Sequence, residues 1–188
     1  MTHRTALAVL LSLTLSACGS TEGPLRYEVP IPAPQEQVRI SAGSIELREV
    51  TLPLYAELET ISVAAFDRSL RSDTEILWAD DPVRAVSRGI VESLSALTGA
   101  KVAESPWPLA ELPDVELEVR FDRMVADADG VFRATGQFYV APRGMDGRDK
   151  AQRFSAEAVY VPGDLGSIAT AKGDVIARVA RQIAERGF

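Results

Sequence analysis

The sequence predicts a single α+β domain, a mainly antiparallel sheet with two principal helices, at about 82–98 and 167–186, packed on one face. Three observations predict it. Apolar residues recur at three- and four-residue spacing in two long stretches, Val83 to Leu97 and Ile168 to Ile183, which is helical periodicity. Three other stretches, 115–121, 132–140 and 153–161, alternate apolar with polar residues, the pattern of strands with one wet face. The order along the chain is strands, helix, strands, helix, and 188 residues suffice for one core but are short for two.

Leu25 to Val29 alternates and predicts a first strand, which Pro30, Pro32 and Pro34 break. Gln35 to Gly43 is a connection. Ser44 to Thr51 predicts a second strand whose slip from strict alternation marks a bulge, and Leu52-Pro53-Leu54-Tyr55 ends it. Thr60 to Phe66 is rich in β-formers, and Asp67 to Thr74 is expected to be a polar connection. Ile76, Leu77 and Trp78 then form an apolar wedge before the central helix. Asp81 is a good N-cap, Pro82 occupies the first helical position, and Gly99 is a plausible left-handed stop. Arg84, Arg88 and Glu92 fall on the opposite face from the apolar stripe, as a solvated surface.

Lys101 to Ala103 is a short strand, closed by Ser105-Pro106-Trp107-Pro108. The three alternating strands follow as a meander. Asp127-Ala128-Asp129-Gly130 forms the first turn, and 142–149 forms the second. Pro162-Gly163-Asp164 stops the meander ahead of the final helix.

The first seventeen residues stand apart from this domain. Arg4 supplies a positive charge, Ala6 to Leu15 is an apolar run too short to span a bilayer, and small residues precede Cys18. Leu15-Ser16-Ala17-Cys18 resembles the lipobox of bacterial lipoproteins. That resemblance implies cleavage before Cys18 and acylation of its thiol, with 1–17 a signal peptide, 18–24 a lipidated tether and 25–188 a periplasmic domain. Gly19 after the cysteine, by the same resemblance, favours the outer membrane over the inner. More than one acyl chain gives lasting membrane attachment.

The chain carries a net charge of −7, and removal of the signal takes one more arginine away. Nucleic-acid binding needs clustered Lys and Arg, and here the lysines are only Lys101, Lys150 and Lys172, scattered along the chain. Each is expected at a polar, turn-like or helix-surface position. The single histidine, His3, lies in the signal and the single cysteine is the expected lipid site, so no cofactor and no metal site is expected and imidazole or thiol catalysis is excluded. A carboxylate pair such as Asp80 and Asp81, or Asp127 and Asp129, is the remaining enzymatic option. Their plainer roles are a helix cap and a turn, and calcium binding at 127–130 falls far short of an EF-hand loop. The chain is not expected to be an enzyme.

Three aromatic residues remain as candidate partner or lipid contacts: Trp78 and Trp107, which flank the central helix, and Tyr55 after Pro53. The alternative is that they close the ends of the core.

Together these features resemble the PqiC/YmbA-type lipoproteins, the auxiliary lipoprotein component of ABC-type, MCE-domain envelope transport systems. The resemblance rests on the lipobox cysteine, on Val50-Thr51-Leu52-Pro53-Leu54-Tyr55, on Leu77-Trp78-Ala79-Asp80-Asp81-Pro82 before the helix, and on the order of the later strands and closing helix. Here Asp81 is an extra acid before Pro82, and Val83 replaces the family's usual leucine. The resemblance implies a non-enzymatic subunit at the receiving end of an MCE-protein conduit that moves phospholipid between membranes, with the permease and ATPase on separate chains. It is compatible with a homo-oligomeric ring docked on that conduit. The second reading is a small α+β lipoprotein that assists assembly of another envelope machine.

Overall fold

The computed structural model describes residues 23–144 and 147–188. Cys18 and the expected signal, 1–17, lie outside them.

The meander is the backbone of the fold. Strands β6 (Val115–Asp127), β7 (Val131–Pro142) and β8 (Lys150–Val159) pair antiparallel along nearly their whole length. The alternation predicts which way each side chain points. Leu117, Val119, Phe132, Phe138, Phe154 and Ala158 are buried on one face, while Arg120, Arg153 and Glu157 stay wet on the other. Phe121 and Phe154 meet edge to face at 5.0 Å between ring centres, a favoured aromatic geometry.

The far edge of β6 is shared by two strands. β2 (Ser44–Thr51) pairs parallel with its first half, and β3 (Thr60–Ala64) with its last residues. β5 (Lys101–Glu104) extends the sheet beyond β2; β4 (Leu70–Trp78) and then β1 (Leu25–Tyr27) extend it beyond β3. The eight strands thus form one mixed sheet. Its longest ladders are antiparallel and its shorter ones parallel, apart from the β3–β4 hairpin. The predicted bulge in β2 is present, between Leu47 and Glu49.

β4 corrects the expectation of a polar connection at 67–74. Leu70 to Glu75 are exposed strand residues, so no apolar period marks them. Backbone pairing to β3 makes the strand, entered through a turn in which Asp67 accepts hydrogen bonds from the Ser69 N–H and hydroxyl. Another departure is α1 (Leu54–Glu57), a single helical turn where the sequence suggested only a strand end.

The two long helices are as expected. α2 spans Pro82–Thr98: the Asp81 carboxylate accepts the Arg84 N–H at 2.8 Å, and Gly99 closes it in the left-handed region at φ 69°. α3 spans Leu165–Gly187, with Asp164 accepting the Ser167 N–H. Both lie on the buried face of the sheet, where Val86, Ile90 and Leu94 of α2 and Val175, Val179 and Ile183 of α3 are sealed from solvent. Burial of each such side chain is worth about 1.5–3 kcal/mol.

The proline-rich segment after β1 is not a free linker. It runs along the groove between α2 and α3, and Val38 N–H donates to the Leu97 carbonyl at 2.8 Å. Two glycines permit the approach: a Cβ on Gly173 would lie 1.8 Å from the Pro30 carbonyl oxygen, and one on Gly89 would lie 2.8 Å from Ile31.

Candidate functional site

The carboxylates nominated for chemistry are occupied by arginines. Asp80 accepts hydrogen bonds from Arg84 and from the Asp81 N–H and pairs with Arg88 at 3.3 Å, and these partners hold its carboxyl below the usual range, Arg84 foremost. Asp81 serves as the helix cap. Arg133 bridges Asp127 and Asp129, with both distances at 2.8 Å, and Arg123 also binds Asp127. These are ion pairs around a turn and a helix start. Among the described residues no cluster of three or more potential metal ligands occurs, and no helix is long and apolar enough to cross a membrane.

The three aromatic candidates are not brought together; each borders a separate depression. Tyr55 is half-buried, and its hydroxyl accepts the Met124 N–H at 3.2 Å, pinning α1 to β6. It borders a hollow beside the β3–β4 turn, where the Phe66 side chain is 85 % exposed. Trp107 is also half-buried, its indole N–H donating to the Glu111 carbonyl at 2.6 Å, and the neighbouring Leu109 and Leu112 are exposed.

Trp78 is different. It is only 6 % exposed, and it forms one wall of a cavity of about 320 Å³ between β1, the end of β4, α2 and α3. Tyr27 and Val29 supply a second wall, Gly89 the floor beside α2, and Asp80, Arg88 and Glu92 the rim. Lys172 of α3 closes it. That lysine is 3 % exposed, and its Nζ sits 3.9 Å from the centre of the Trp78 ring.

Lys172 overturns the expectation that every lysine sits in a polar or surface context. Burial pushes its ammonium down to about 7, and among the described residues no carboxylate pairs with it. Sequence reasoning missed it, although a signal was present. Ile168 and Ile176 stand four residues either side of Lys172, so all three share one apolar helix face.

Sheet, helix pair and segregated layers define a small α+β domain built around one antiparallel meander. The chain belongs to the family of ABC-type transport auxiliary lipoprotein components, whose model matches residues 27–184; this is the family the sequence motifs resemble. Among solved structures, a crystal structure of an uncharacterized protein superposes with a TM-score of 0.69 at 16% identity, covering 87% of this chain and 97% of that one. A DUF330-family protein from Xanthomonas campestris superposes at 0.59 with 18% identity, over 86% and 91% of the two chains. Both likenesses concern the fold alone. No curated protein matches the chain.

Proposed function

We propose that this chain is the outer-membrane-anchored periplasmic subunit of an MCE-type, ABC-driven transport system, docking on or passing phospholipid along an intermembrane conduit and so supporting envelope integrity. The observation that carries the reading is the family match over 27–184, directly preceded by a lipobox-like cysteine at Cys18. Family members are auxiliary components of ABC-type transport rather than enzymes. The arginine-paired carboxylates fit a domain that binds rather than reacts.

Within this reading 1–17 is a cleaved signal and 18–24 a tether. Of the aromatic candidates, Trp107 has the surroundings that best suit a protein partner. It sits on an irregular loop between β5 and β6 with Leu109 and Leu112 exposed beside it, and tryptophan with exposed leucines is the composition of an interface anchor. Trp78 and Tyr55 would meet a partner only through their depressions.

The test is complementation of a strain lacking this chain. The wild type should fractionate with the outer membrane and restore resistance to detergents. Cys18→Ala should be released and should fail to restore it. A released, fully functional Cys18→Ala would refute the anchored role.

A further inference from the structure

An almost fully buried ammonium needs a reason. Lys172 has neither a carboxylate nor a hydrogen-bond acceptor within bonding distance among the described residues, yet it borders a cavity of about 320 Å³. One face of the ammonium is spent on the Trp78 ring at 3.9 Å, a cation–π contact. An ammonium carries three donors, and the ring satisfies them only electrostatically. A structural lysine at this place would snorkel outward or pair. The charged groups facing the cavity are Glu28 from the segment after β1, Asp80 from the loop after β4, and Arg88 and Glu92 from α2. Asp80 is already shared between Arg84 and Arg88, while Glu28 and Glu92 are exposed to water, which screens them. Of the described charged groups that line the cavity, Lys172 alone is buried, and a charge held in low dielectric interacts most strongly with a ligand.

We propose that this cavity binds a singly charged oxyanion of the phosphodiester type, with Lys172 as its buried counter-charge and Arg88 as the donor at its rim. Arg88 is already paired with Asp80, so Lys172 supplies the one unpaired positive charge lining the cavity, which matches a single negative charge on the ligand. The volume is at the small end for ligand sites and takes a headgroup rather than acyl chains. Two sources offer this chemistry: a phospholipid headgroup and a free small phosphodiester. The chain from Cys18 to Tyr27 spans at most about 30 Å when extended, so an acylated Cys18 holds the cavity within that distance of a bilayer. Only the lipid source rests on the anchoring reading; the site itself does not.

The test uses the full chain made by cell-free synthesis, and so unacylated, with Trp107→Phe leaving Trp78 as the reporter. Diethyl phosphate and monomeric dihexanoyl phosphatidylglycerol are titrated at pH 6.5 while indole emission is followed. The expected result is a saturable change with at least one probe, weakened tenfold or more by Lys172→Met and several-fold by Arg88→Gln. Tighter binding of the short-chain lipid assigns the headgroup source, and equal binding assigns the free phosphodiester. Circular dichroism and thermal melting check that Lys172→Met is folded; should it not be, Arg88→Gln on the exposed rim decides. No saturable response, or affinity unchanged in the folded variants, overturns the site. Neither result touches the fractionation of Cys18→Ala, so failure of the cavity and failure of the anchor remain distinguishable.

Discussion

Lys172 Nζ lies 3.9 Å above the ring of Trp78, and this one contact joins α3 to the end of β4 beneath β1. It places an ammonium in an interior that is otherwise largely aliphatic and aromatic, the other buried polar side chains among the described residues being Glu46, Ser87 and Ser93, and the consequences are measurable.

The first concerns pH. Burial lowers Lys172 from 10.5 to about 7 in the folded chain, so between those values the unfolded chain binds a proton that the folded chain does not. Stability therefore rises with pH across that window. Below about 7 both states are protonated and the penalty is fully present; it fades as pH climbs toward 10.5. Urea unfolding of the wild type minus that of Lys172→Met should change by an amount on the order of 3–5 kcal/mol between pH 6 and pH 10. At pH 6 Lys172→Met should be the more stable protein, because an apolar side chain of similar volume replaces an unpaired charge. A pH-independent difference would show that Lys172 is solvated.

The second concerns the core. Leu94 is fully sealed between α2 and the sheet, and Leu94→Ala should cost about 2–5 kcal/mol in chemical unfolding. A loss below about 1 kcal/mol would place the α2 stripe outside the core.

The third concerns the strap over the helices. Gly→Ala inside a helix is ordinarily stabilising, by roughly 0.5–1 kcal/mol. At Gly173 the sign should reverse, since the new Cβ would meet the Pro30 carbonyl at 1.8 Å. Overpacking of this kind costs about 1–3 kcal/mol. Limited proteolysis should show faster cleavage within 28–38 in Gly173→Ala, and hydrogen exchange there should quicken. Unchanged protection would mean the segment does not cross α3.

The fourth separates transport from catalysis. Asp80→Asn and Asp127→Asn remove the most prominent carboxylates, which are engaged with Arg84, Arg88, Arg123 and Arg133. Asp127→Asn, which lies away from the Lys172 cavity, should support envelope integrity at the wild-type level when expressed to equal abundance, whereas Asp80→Asn also releases Arg88 at the cavity rim. A specific loss of activity in folded Asp127→Asn would reopen the hydrolytic reading.

Much of this was legible in the sequence because the signals were local. Caps at Asp81 and Asp164, the left-handed Gly99 and the alternation of β6 to β8 are written in neighbouring residues. β4 was not legible, because its first six residues are exposed and carry no apolar period; backbone pairing makes the strand, in a hairpin with β3 and with the sequence-distant β1, and such pairing leaves no mark on side-chain pattern. The parallel junctions of β6 with β2 and β3 were hidden for the same reason. The cavity was half legible. Trp78 stood out, but its partner Lys172 lies almost a hundred positions further on, and only the flanking Ile168 and Ile176 hinted that it faces inward.

The reading of this chain as a transport subunit stands or falls on what it touches in the envelope. The direct measurement is affinity capture of the full-length, lipidated protein from gently solubilised envelopes, with proteins and lipids identified by mass spectrometry. An MCE-domain protein should be recovered, and less of it when Trp107 is replaced by Ala. Recovery of a different envelope machine, with no MCE-domain protein under conditions that keep known complexes intact, would contradict it.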